Sequence, residues 1–269
     1  MNRKKLPQSI ISSVFAALAL GAIFFAPATA MAQKEFTAEQ IAESVIIIAG
    51  TRPGLQQVRK TGLENGRISR MTSEGRPEEV RYQRRFIAGD KFEKDKIRLD
   101  QKTAQTEFTL VKNGERIFGI INGSPFTPRA ETTAEFLSQQ VHSIEALLRY
   151  KENESKLTSA GKDKQQGIDL YVLDLTDKAN NKTRYFISVK SLRVLWLEYE
   201  EALPDQSTPV KFMKRFYDYR IAQSTWFPYR TVTYVDGKQT VETRVLTITY
   251  GVKTDDSVFQ HPDAASGME

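Results

Sequence analysis

The chain has 269 residues, 40% hydrophobic and 10% aromatic, which allows a sizeable packed core and excludes a disordered polymer. It holds no cysteine, so it can carry neither a disulfide nor the acylated cysteine of a bacterial lipoprotein. The net charge of +6 falls to +3 once the three cations of residues 1–32 are set aside, a bias too mild to indicate nucleic-acid binding.

The N-terminus reads as an export signal. Arg3, Lys4 and Lys5 precede an apolar run over residues 14–25. Pro27 and the small-residue triplets Ala28-Thr29-Ala30 and Ala30-Met31-Ala32 follow. The run is shorter than the ~20 residues of a spanning helix. Residues 1–32 are therefore expected to be removed before Gln33, leaving a single domain over 33–269 that is free outside the cytoplasm.

Next comes a helix. Thr37 and Gln40 form a capping box, with Phe36 and Ile41 placed as a hydrophobic staple. Ile41, Val45 and Ile48 recur at helical spacing, Gly50 closes the helix and Pro53 is expected to prevent its resumption. Residues 55–121 then change to strand patterning. Val80, Tyr82 and Phe86 alternate with Arg81, Gln83 and Arg85, giving one buried and one wet face. Further strands are predicted at 92–99, 107–111 and 116–121. Turns are expected at Glu64-Asn65-Gly66, Ala88-Gly89-Asp90 and Lys112-Asn113-Gly114. The basic residues Arg81, Arg84, Arg85, Lys91, Lys94 and Lys96 suit a solvated sheet face or a docking patch for an acidic partner or anionic headgroup.

A second helix is predicted from Thr132, with Glu135 completing a capping box and Leu137, Val141, Ile144 and Leu148 forming its stripe. The polar stretch 151–166 reads as a loop or a worn edge strand. Strands follow at 168–175, 184–189, 193–199, 210–219, 229–235 and 240–250, with Asp236-Gly237 the strongest hairpin signal. The expected architecture is mainly β within the α+β class. One large curled antiparallel sheet, or an unclosed β-barrel, is covered by two or three helices.

No catalytic motif appears. His142 and His261 have no partnering pattern, and no nucleophile elbow, phosphate loop or dinucleotide turn is present. No enzyme activity, cofactor or metal is expected, although converging carboxylates in a hydrolase site remain an alternative. The aromatic supply of the second strand block reads either as an ordinary core with cross-strand pairs or as the lining of a ligand cavity.

The C-terminal block reads Phe216-Tyr217-Asp218-Tyr219, Trp226-Phe227-Pro228-Tyr229-Arg230, Asp236-Gly237-Lys238, then Asp256-Ser257-Val258-Phe259 and Pro262. It resembles the outer-membrane lipoprotein-sorting proteins, the LolA-like periplasmic carriers. The resemblance implies an unclosed barrel with a helical lid, and a periplasmic carrier that binds acyl chains without chemistry. A regulatory or protein-binding module of the same fold is the alternative. Implied partners are lipid or acylated-protein cargo and membrane-bound donor or acceptor proteins, with the carrier a monomer. The expected cavity residues are Phe108, Phe118, Leu137, Val141, Trp196, Phe212, Phe216 and Trp226.

Overall fold

The computed structural model describes residues 36–72, 74–202 and 208–261, and those from Phe36 on form one compact unit. The expected export signal and Pro262 of the closing motif lie outside the described residues.

Helix α1 (Ala38–Ala49) starts at the predicted capping box. The Gln40 amide donates to the Thr37 hydroxyl at 3.2 Å, and the Gln40 side chain accepts from the Thr37 amide at 2.9 Å. Gly50, at φ +145°, closes the helix. The buried stripe is Ile41, Ala42, Val45, Ile46 and Ala49, while Ile48 turns toward solvent. Pro53 does not stop the helical path. It sits in the first turn of a second helix, α2 (Arg52–Val58), where its missing N–H has no helical acceptor to lose.

The rest is one antiparallel sheet of 13 strands. Strands β1 (Thr61–Met71), β2 (Pro77–Ile87), β3 (Lys96–Lys102), β4 (Glu107–Asn113), β5 (Arg116–Ile121) and β6 (Ser124–Phe126) form one meander. Helices α3 (Ala130–Val141) and α4 (Ile144–Leu148) follow. A second meander runs through β7 (Lys156–Gln165), β8 (Ile168–Thr176), β9 (Lys182–Ser188), β10 (Val194–Glu201), β11 (Val210–Ala222), β12 (Thr225–Val235) and β13 (Lys238–Tyr250). The strand order is 6-5-4-3-2-1-13-12-11-10-9-8-7. First and last strands therefore pair at the centre, with Gly62 opposite Tyr250. The edges, β6 and β7, do not meet, so the sheet is not a closed barrel. Edge strand β7 carries Lys156, Lys162 and Lys164 and a bulge, features that discourage edge-to-edge pairing.

Glu64-Asn65-Gly66 is not a turn but the middle of β1, bulged opposite β13. The glycines serve ring packing. A Cβ on Gly62 would lie 2.4 Å from the Phe86 ring, and one on Gly66 would lie 2.6 Å from the Tyr82 ring and 2.4 Å from the Arg244 carbonyl oxygen. The predicted second helix also differs. Helix α3 begins at Ala130 without a side-chain cap, so Thr132 is not its N-cap. It ends at Val141, and Ser143 then caps the separate α4, accepting from the Ala146 amide at 3.1 Å.

The inner face of the sheet meets the helices in two places. Ile41, Val45 and Ile46 of α1 and Leu147 and Leu148 of α4 pack with Leu173, Tyr185, Ile187, Leu197 and Phe216 of the second meander. Phe136 of α3 packs with Tyr82, Ile97, Leu99 and Leu110 of the first. Alternation puts a second set of apolar residues on the outer face. Leu170, Val172, Phe186 and Trp196 form one cluster there. Val111, Phe118 and Phe259 form another, under the 3-10 turn Asp256–Phe259.

Candidate functional site

Between α3 and the inner face of β1–β4 lies a cavity of about 440 Å³. Strand alternation turns Leu99 on β3 and Phe108 and Leu110 on β4 toward it, and Phe136 of α3 meets them from above. Its rim is polar. Arg70 and Glu78 form an ion pair at 2.8 Å, and Gln101, Thr132, Glu135 and Gln139 complete the border. An apolar floor under a polar rim suits an amphiphile, with its tail below and its headgroup at the mouth.

The expected cavity residues do not converge. Phe108 lines this cavity. Phe212 and Phe216 face inward but belong to the α1–α4 core of the other meander. Leu137 and Val141 are half-buried on α3 and stand outside the lining. Trp226 is half-buried beneath the Arg193 guanidinium, 3.8 Å from its ring centroid. The expectation that Phe118 and Trp196 turn inward is corrected. Phe118 stands opposite Val111, out of phase with the inward Leu110. Trp196 alternates with the inward Leu197, stacks on Phe186 at 4.6 Å and lies beneath Arg215. Both strands are apolar on both faces, so residue type alone does not mark their inner side. Sequence reasoning missed Leu99, Leu110 and Phe136. The one signal for Phe136 was its place in the helix beside Leu137, one residue off the assumed stripe.

Helix α3 is anchored at its C-terminal end. The His142 ring is buried, stacks on Tyr199 at 3.7 Å and has Nδ1 2.7 Å from the Thr183 hydroxyl. Burial, with the nearby Lys214 cation, pushes His142 down to about 3. The Lys214 ammonium donates to the His142 carbonyl at 2.8 Å, a cation at a helix C-terminus, and burial pulls it down to about 8. Ser138 donates to Glu201 at 2.9 Å. On the same inner face, Tyr82 donates to the buried Glu64 carboxylate at 2.6 Å, and burial drives the Tyr82 hydroxyl far above its ordinary value.

A second cavity, of about 330 Å³, lies among α2, α4 and Ala88, Gly89 and Asp90. Its charges are largely satisfied internally. Arg52 bonds Glu43 and Glu152, both at 2.8 Å, and Arg59 reaches Glu145 at 3.1 Å while lying over the Phe227 and Tyr250 rings. No helix among the described residues is long and apolar enough to cross a membrane.

This architecture, an open 13-stranded antiparallel sheet with helices over one face, is LolA-like. A LolA superfamily protein from Nitrosomonas europaea superposes with a TM-score of 0.57 at 13% identity, over 84% of this chain and 99% of that one. A DUF1329 family protein from Desulfovibrio piger gives 0.60 at 11%, over 84% and 98%. A domain described as an outer membrane lipoprotein-sorting protein from Vibrio parahaemolyticus gives 0.54 at 11%, over 83% and 96%. At such identities the likeness establishes the fold. No protein-family model and no curated protein matches the sequence.

Proposed function

We propose that this protein is a periplasmic carrier that holds a lipid or lipoprotein acyl chain in the cavity beneath α3 and performs no chemistry on it. The observation that carries this reading is the cavity itself, with Leu99, Phe108, Leu110 and Phe136 inside and charged and amide side chains around the mouth. Its volume of about 440 Å³ falls in the range of small-molecule sites, roughly 300–1,000 Å³. Each buried methylene contributes about 0.8 kcal/mol, so a chain of roughly ten carbons gains about 8 kcal/mol before ordering costs.

In this reading α3 is the movable cover. Its C-terminal end is fixed by His142, Tyr199 and Lys214, and its N-terminal end has no side-chain cap. Cargo enters and leaves as the uncapped end lifts. The chain is exported, residues 1–32 are removed, and residues 33–269 act as one domain with membrane-bound proteins as donor and acceptor. The lipoprotein-sorting description of the Vibrio domain agrees with this reading.

Lipid extraction and mass spectrometry of protein purified without detergent test it. Stoichiometric phospholipid or acylated peptide is expected. Empty protein that also fails to take up added phospholipid would refute carriage. It would favour a protein-binding module of the same fold.

A further inference from the structure

The outer face carries a row of cations that strand alternation alone does not reveal. Arg230 on β12 stands opposite Arg244 on β13, Arg244 opposite Arg67 on β1, Arg67 opposite Arg81 on β2, and Arg81 opposite Lys102 on β3. Five adjacent strands thus present a basic residue at the same rung. At about 4.8 Å per strand the row is about 19 Å long. It lies on the face away from the cavity, since Gly66, Tyr82 and Gln101, the neighbours of Arg67, Arg81 and Lys102, register along the inner side.

Like charges directly opposite each other weaken a sheet. Three carboxylates flank the row: Glu242 beside Arg230 and Arg244, Glu79 beside Arg67, and Glu107 beside Lys102. They leave a surplus of positive charge, and Arg81 makes no ion pair among the described residues. The side chains are open to solvent, Arg67 at 46%, Arg244 at 57% and Lys102 at 69% exposure. Two rungs along on the same side, past Gln83 and Asp100, Arg85 stands opposite Arg98, which pairs with Asp100 at 2.9 Å. Of the other basic residues of this region, Arg84 turns inward to Glu64, and Lys91 is occupied by Glu154.

We propose that this rung is a docking surface for a membrane bearing anionic phospholipid headgroups. Arginines on adjacent strands offer planar, bidentate donors at a spacing that meets separate phosphates. Leu246, at the β13 bulge two residues from Arg244, is 55% exposed, an apolar group available to an interface. A lipid surface accommodates both features, whereas a purely ionic polymer uses only the first. The assignment stands apart from what the cavity holds.

Vesicle flotation tests it, using protein recovered from cells expressing the full chain. Binding is expected to phosphatidylcholine vesicles doped with phosphatidylglycerol, not to phosphatidylcholine alone, and is expected to weaken with salt. Each arginine is worth about a fivefold factor at a charged surface, so the triple variant Arg67→Gln, Arg81→Gln, Arg244→Gln should lose roughly a hundredfold in affinity. Its thermal midpoint should change little, because opposed like charges are removed together with the exposed pairs to Glu79 and Glu242. Should the triple variant fail to fold, Arg81→Gln alone should still lose about fivefold. Equal binding to both vesicles, or full binding by the folded triple variant, would overturn the proposal. So would binding of soluble polyglutamate with no binding to the phosphatidylglycerol vesicles, which would assign the rung to an acidic protein.

Discussion

The His142 ring lies flat on Tyr199, with centroids 3.7 Å apart and planes within 5° of parallel. Tyr199 in turn stacks on Phe212 at 4.9 Å, so one column of rings pins the end of α3 to β10 and β11. A histidine in such a column is held neutral. Its folded value, about 3, lies below its ordinary 6.5. Below pH 6.5 the unfolded chain takes up a proton that the folded chain refuses, so stability must fall as pH drops. Between pH 6.5 and 5 the loss from this one group is about 2 kcal/mol. Acid unfolding followed by urea midpoints should show this slope in the wild type and lose it in His142→Phe. Glu43, depressed to about 2 although burial opposes it, because Lys151, Tyr150 and Arg52 hydrogen-bond it, acts only below that window.

Arg149 and Asp95 tie α4 to the segment before β3. The guanidinium donates to both carboxylate oxygens, at 2.8 and 3.1 Å, and to the Gly89 carbonyl, and it lies over the Phe92 ring. Both side chains are nearly closed to water, at 12% and 9% exposure. Burial raises the Asp95 carboxyl even against its arginine partner. Arg149→Ala leaves that carboxylate buried and unpaired, and should cost about 3–5 kcal/mol in chemical denaturation. Lys178→Ala, which breaks an exposed pair with Glu154, should leave the denaturation midpoint almost unchanged.

Gly66→Ala should destabilise by about 1–3 kcal/mol, because the new methyl meets the Arg244 carbonyl oxygen, which belongs to the neighbouring strand and cannot rotate away. For Gly62→Ala the nearest atoms met belong to the Phe86 ring, a side chain that can turn. A smaller midpoint shift is expected for it in the same thermal assay.

Local chemistry made much of the fold legible. The Thr37 capping box, the Asp236-Gly237 hairpin and the 116–121 strand all follow from short-range physics, while the polar stretch after residue 151, which reads as a loop or an edge strand, is resolved only by its pairing with β8. The pairing of β1 with β13 did not, since it joins residues nearly two hundred positions apart and leaves no local pattern. Glycine misled at Gly66, where it admits a ring rather than making a turn. Proline misled at Pro53, where it begins a helix rather than ending one. Cavity residues were the least legible. In Leu195-Trp196-Leu197 every residue is apolar, and the register shift beside Val194 decides which one faces the helices. The cationic rung was invisible for the same reason as the β1–β13 pair, because it exists only across strands distant in sequence.

The most direct test of cavity occupancy is titration with an environment-sensitive fluorescent fatty acid, comparing wild type with Phe108→Asp and Trp196→Asp. Wild type should give a saturable blue shift at one probe per chain, displaced by unlabelled phospholipid. A charge at Phe108 faces the tail and should weaken binding at least about tenfold. A charge at Trp196 lies on the far face and should leave the affinity of the folded fraction unchanged. Loss of binding in the folded Trp196 variant with retention in the Phe108 variant would contradict the site described beneath α3.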